Sequence, residues 1–139
     1  MFKKILVPLD GSRLAEGILP LVEDLAKIHQ GEVTLFRVAL AHTFPGADPT
    51  DHQVKVTREA EEYLAKVDAN LKGMGVEVNS VVCYGRDAEE IVRYAKDENM
   101  ELIAMSTHGR TGLGQFLLGS VASKVIHTAT VPILLHRVG

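Results

Sequence analysis

The chain has 139 residues, 46% of them hydrophobic and 24% charged, with a formal net charge of −3 and a single cysteine. That length suits one globular domain over residues 1–139, and the mildly acidic balance excludes the broad basic face of a general nucleic-acid binder. One cysteine, Cys83, rules out an intramolecular disulfide and a cysteine-rich metal centre, and no apolar run reaches membrane-spanning or signal-peptide length, so a cytoplasmic protein with no membrane partner is expected.

In chain order, "KILVPL" at 4–9 is an apolar, partly β-branched run that stops at Asp10-Gly11-Ser12 and reads as strand one. Ser12 or Asp10 then caps a helix carrying Leu14, Ile18, Leu21, Val22, Leu25 and Ile28 at helical spacing, with a kink expected at Pro20 and a stop at Gly31. "EVTLFRVAL" at 32–40 is strand two, and the proline- and glycine-containing stretch 41–52 reads as a loop. Ala60, Tyr63, Leu64, Val67 and Leu71 mark helix two, closed by Gly73 and Gly75; its charge run "REAEEYLAKVD" reads as a solvated face.

Residues 76–84 alternate as strand three, with Cys83 as apolar strand filler. Asp87 is the expected cap of a third helix bearing Ala88, Ile91, Val92 and Ala95, with Glu90 in the capping-box position. "ELIAMS" at 101–106 is strand four, Leu117 to Ile126 mark helix four, and "VPILLHR" at 131–137 is strand five. Regular βαβ alternation with short links predicts an open five-stranded parallel sheet with helices on both faces.

Ligands of such sheets bind beyond the carboxyl ends of the strands. Three unusual segments fall on that edge: the turn at Pro8–Ser12, the loop after strand two, and "STHGRTGLGQFLLGS" at 106–120, with four glycines in fifteen residues. The last is not a Walker loop, because no lysine separates Gly119 from Ser120, and not a dinucleotide fingerprint, because Leu117 takes the third glycine position. Its chemistry still suits phosphate. Gly119-Ser120 opens a helix whose first N–H groups are unpaired, Ser120 adds a hydroxyl, and Gly109 lets main chain approach a ligand.

Across the cleft Asp10 can accept ribose hydroxyls or face a metal ion, or act only as a turn cap, and Val38 and Met105 can pack on a base. His42, Asp48, Asp51 and His52 match no familiar metal-ligand spacing. A response-regulator receiver is disfavoured by Tyr84 and His136, where it would carry an aspartate and a lysine.

The whole chain resembles the universal stress protein family. "KKILVPLDGS" is similar to the family's first strand and aspartate turn, and "MSTHGRTGLGQFLLGSVASKVIHTATVPILLHR" to its signature region. The ATP-binding branch's pattern G-x2-G-x9-G-[ST] is matched by Gly109, the nine residues 110–118, Gly119 and Ser120, while Ser106 stands at the first glycine position. The resemblance implies an adenine nucleotide alpha hydrolase-like fold with strand order 3-2-1-4-5. It implies ATP or a related adenine nucleotide, with adenine against Pro8, Leu9 and Val38 and Asp10 near adenine or ribose. Met105, Ser106, His108, Gly109, Arg110, Gly119, Ser120 and Val121 would surround ribose and phosphates, with Mg²⁺ or Mn²⁺ bridging the phosphates. It further implies a homodimer through strand five. A nucleotide-responsive stress protein is the leading expectation; a slow ATP hydrolase, for which only His108, Arg110 and Asp10 are candidates, and a nucleotide-free dimer acting through partner contacts are the alternatives.

Overall fold

The computed structural model describes residues 1–40, 48–108 and 118–138. The elements run β1 (Lys4–Pro8), α1 (Arg13–Glu16), α2 (Leu19–His29), β2 (Glu32–Leu40), α3 (Pro49–Gly73), β3 (Glu77–Gly85), α4 (Asp87–Asp97), β4 (Leu102–His108), α5 (Ser120–Thr128) and β5 (Ile133–Val138). All five strands lie in one parallel sheet of order β3-β2-β1-β4-β5, the expected topology.

Two apolar layers hold the sheet. Ile5, Val7, Val33 and Leu35 bury one face against Ile18, Val22 and Ala26 of the first helical segment and Leu64, Val67 and Leu71 of α3. Leu6, Phe36, Ile103 and Met105 bury the other against Ala88, Ile91 and Ala95 of α4 and Ala122 and Val125 of α5. The alternation of β1 between the two layers (Ile5 and Val7 one way, Leu6 the other) is the period-two geometry of a strand covered on both sides.

Several element boundaries differ from expectation. The first helix does not kink at Pro20; it breaks at Gly17 and Ile18, so Pro20 falls in the first turn of α2, where its missing N–H costs no helical bond. Leu21 and Ile28 are exposed, and the inward stripe is Ile18, Val22 and Ala26. The helix ends at His29 with Gln30 in the left-handed region (φ 53°); Gly31 is needed because a Cβ there would lie 2.6 Å from the Phe2 carbonyl oxygen.

Residues 49–52 are the start of α3 rather than loop, because the Asp48 carboxylate accepts the Thr50 N–H at 2.9 Å and caps the helix ahead of Pro49. Residues 41–47 lie outside the described residues.

The cap of α4 is Arg86, in extended conformation, and not Asp87, whose carboxylate accepts the N–H of its own neighbour Ala88 at 2.8 Å. Glu90 pairs with Arg93 instead of closing a capping box. Strand β3 is shifted one residue, to Glu77–Gly85, and β5 begins at Ile133 and ends at Val138. Strand β4 runs two residues beyond its expected end, because Thr107 and His108 continue the ladder opposite Arg137 and Val138 of β5. Leu118 precedes α5, which starts at Ser120 with Gly119 as its cap.

Candidate functional site

The strand order reverses between β1 and β4, so the chain leaves these two neighbours in opposite directions and a crevice opens beyond their carboxyl ends. A cleft of about 580 Å³ lies there. From β1 and the turn after it come Pro8, Leu9 and Asp10; from β2, Val38; from β4, Met105, Ser106 and His108; from the start of α5, Gly119, Ser120 and Val121. Those are ten of the twelve residues expected to form a site. The other two, Gly109 and Arg110, lie outside the described residues, as do Gly112 and Gly114.

The first wall is the Asp10-Gly11-Ser12 turn. Asp10 accepts the Ser12 N–H at 2.8 Å through one carboxylate oxygen, and Ser12 caps α1 by accepting the Ala15 N–H at 3.1 Å. Gly11 sits at φ +88°, a conformation that side chains strain, so the turn needs its glycine. Asp10 is exposed, and its second oxygen has no partner among the described residues, leaving one acceptor facing the cleft.

The second wall is the junction of β4 with α5. Thr107 is 2% exposed, and its hydroxyl accepts the Gly119 N–H at 3.0 Å, which ties the start of the helix to the end of the strand. The Gly119 N–H is therefore spent inside the protein. Among the described residues no side chain caps α5, which leaves the N–H groups of Ser120, Val121 and Ala122 for a ligand. Gly119 itself has an ordinary extended backbone (φ −61°, ψ 152°), and among the described residues a Cβ on it would meet only the Thr107 hydroxyl, at 3.4 Å. The fold does not demand glycine there; what glycine provides is open approach to the helix start.

Ser106 is buried in β4 and donates its hydroxyl hydrogen to the Ala15 carbonyl at 3.3 Å. Its side chain is thus used to dock α1 on the sheet. His108 closes β4 as an exposed residue.

The cleft also holds residues that sequence reasoning passed over. Val56 and Glu59 enter from α3, which begins earlier than expected, and Asp87 and Ile91 from α4. Arg37 enters from β2, where the signal was its single charge in the otherwise apolar core of "EVTLFRVAL". Its guanidinium lies 5.0 Å from the centre of the Tyr63 ring. The Tyr63 hydroxyl donates to Glu16 at 2.8 Å, and burial first, then the Glu16 bond and charge, push that phenol well above its ordinary range, against a smaller opposing pull from Arg37. Cys83 is half-buried in β3, with its thiol shifted upward by burial and secondarily by Glu90.

Such a domain, a parallel sheet covered by helices on both faces with a cleft at its switch point, belongs to the open, doubly wound α/β class. More narrowly, the chain belongs to the universal stress protein family, whose model matches residues 1–137. It is 31% identical to the universal stress protein MJ0577 of Methanocaldococcus jannaschii, over 96% of this chain and 94% of that one. The solved structure of MJ0577 superposes with a TM-score of 0.86 at 33% identity, covering 100% of this chain and 98% of the other.

Two further solved structures share the fold. One is a universal stress protein in complex with cAMP (TM-score 0.66, 19% identity, 99% and 98% coverage). The other is the universal stress protein of Archaeoglobus fulgidus in complex with dAMP (TM-score 0.68, 21% identity, 97% and 98% coverage).

Proposed function

We propose that this protein binds an adenine nucleotide, ATP foremost, in the cleft between the Asp10 turn and the start of α5, and serves as a nucleotide-responsive module in the stress response. The observation that carries the reading is the meeting, across one apolar-floored cleft, of three N–H groups of α5 and an Asp10 oxygen that have no partner among the described residues. Phosphates would take the Ser120, Val121 and Ala122 N–H groups and the Ser120 hydroxyl, where the helix dipole favours negative charge. Adenine would lie on Pro8, Leu9, Val38 and Met105, and Asp10 would accept ribose hydroxyls. Gly109, Arg110 and His108 would complete the phosphate side. Universal stress proteins in complex with cAMP and dAMP support an adenine nucleotide as the ligand class.

Among the described residues no three His, Cys, Asp or Glu side chains converge to hold a metal ion. The residues present fit a divalent ion that arrives on the triphosphate. Mg²⁺ or Mn²⁺ takes a few phosphate and carboxylate oxygens and keeps its waters, and Asp10 would supply a carboxylate oxygen at the end of β1. Bound there, the ion would neutralise phosphate charge.

The proposed assembly is a homodimer through β5, which lies at the sheet edge with Ile133, Leu134 and Leu135 only partly covered. Sedimentation should give twice the chain mass, and a monomer at micromolar concentration would refute the dimer. For the ligand, the purified protein is denatured and the supernatant analysed for released nucleotide, and the emptied protein is titrated with ATP. Saturable binding is expected; no released nucleotide together with no binding by ATP would overturn the proposal.

A further inference from the structure

We infer that Arg37 is a phosphate-binding residue at the ribose end of the cleft, so that the protein prefers adenine nucleotides carrying a phosphate on the ribose 2′- or 3′-hydroxyl in addition to the 5′-phosphate. This rests on the adenine-nucleotide reading above and names its ligand more narrowly.

The first ground is position. Arg37 lies toward the end of β2, the strand beside β1, and its guanidinium packs against the turn that carries Asp10: a Cβ placed on Gly11 would lie 3.2 to 3.4 Å from its Nη1, Cζ and Nη2 atoms. Three such similar distances put the face of the guanidinium, not its edge, against Gly11. With the Tyr63 ring 5.0 Å away as well, the flat group is packed by a glycine backbone and a ring, and its N–H edge is what remains to bind.

The second ground is charge. Arg37 is half-buried in the cleft wall, yet among the described residues no carboxylate lies within ion-pair distance of it and no acceptor takes its hydrogen bonds. Glu16 accepts from Tyr63, and Asp10 accepts the Ser12 N–H through one oxygen. A guanidinium offers five donors in a rigid fork matched to phosphate, and leaving it half-buried without an acceptor costs stability.

The third ground is the chemistry of α/β clefts. In dinucleotide clefts either a carboxylate near the end of a strand accepts ribose hydroxyls or an arginine nearby accommodates a ribose phosphate, and this cleft carries both groups. Asp10 and Arg37 form such a pair, separated by Gly11. Arg37 sits on the α3 side of the sheet, whereas the N–H groups of α5 lie on the α4 side, so the two positive features would take different phosphates of one ligand.

Calorimetric titration of wild-type protein with AMP, adenosine 2′,5′-bisphosphate and adenosine 3′,5′-bisphosphate tests this, together with Arg37→Met, which keeps the apolar stem over Tyr63. At least one bisphosphate should bind wild type about tenfold or more tightly than AMP, the preference should fall below about threefold in Arg37→Met, and AMP affinity should change less than about threefold. Equal affinity of wild type for AMP and both bisphosphates would overturn the inference, as would a preference that survives in a folded Arg37→Met. Should that variant fail to fold, the wild-type comparison alone decides. Binding of AMP and ATP without any preference sinks only this inference, whereas no binding of ATP, AMP or either bisphosphate sinks the nucleotide reading along with it.

Discussion

The Thr107 hydroxyl accepts the backbone N–H of Gly119 at 3.0 Å, joining the end of β4 to the cap of α5. That bond fixes where the helix begins relative to the sheet, and it removes one N–H from the set that could meet a phosphate. The Gly119 position can therefore be tested apart from the fold. Gly119→Val places two methyl groups over the start of α5, on a backbone that accepts a β-branched residue (φ −61°, ψ 152°). Stability should change by less than about 1 kcal/mol, since no buried contact is lost, while ATP affinity should drop at least about tenfold. A melting curve and an ATP titration on the same sample decide it; wild-type affinity in the folded variant would refute the phosphate role of the α5 start.

Thr107→Val is nearly isosteric and removes only the acceptor. Thr107 is 2% exposed and the bond is part-buried, so a loss of about 1 kcal/mol is expected in urea unfolding. Because the helix start is then no longer pinned to β4, ATP should bind several-fold more weakly. If both stability and affinity stay at wild type, the bond positions nothing.

Ser106→Gly restores the glycine that the ATP-binding pattern carries at that place. The serine hydroxyl serves the Ala15 carbonyl at 3.3 Å, so the substitution loses one neutral hydrogen bond and adds chain entropy in a strand. Stability should fall by about 1 kcal/mol or somewhat more, with ATP affinity equal to wild type or higher. A large loss of affinity in a variant that still melts cooperatively would show that the serine itself contacts the ligand.

The βαβ alternation and the layering were legible because period-two apolar runs and period-3.6 stripes alternate cleanly along the chain, whereas the strand order came with the family resemblance. Gly119 and Ser120 were legible for the same reason, since a small residue and a hydroxyl directly before a helical stripe mark a helix start. What could not be read were contacts set by tertiary approach. Nothing local says that Ser106 would turn to Ala15 rather than to the cleft, or that Thr107 would hold the Gly119 N–H. The loop expected over 41–52 shows the same limit from the other side: Asp48-Pro49 reads equally as a turn or as a cap with proline in the first helical turn, and the cap is formed. Arg37 was passed over although it is a charge inside a buried strand, because its partners, Tyr63 and Gly11, come from elements far away in sequence.

Tyr63 links three of those elements, and its titration gives a pH test. The hydroxyl donates to Glu16, and burial together with that acceptor holds the phenol above its ordinary value near 10. The sign follows from linkage. A phenol whose ionisation is pushed upward on folding stabilises the native state fully below its unfolded value, and the contribution is lost as pH rises past about 10, where the unfolded chain releases the proton first. Tyr63→Phe should therefore cost about 1 kcal/mol near pH 8, because Glu16 is only partly buried and regains water. The deficit should shrink steadily above about pH 10, while Tyr84 and Tyr94, present in both proteins, cancel from the comparison. Urea midpoints of the two proteins measured from pH 8 upward give the result directly. A deficit that stays constant across that range would mean that Tyr63 ionises alike in the folded and unfolded chain, and that the Glu16 bond does not hold its proton.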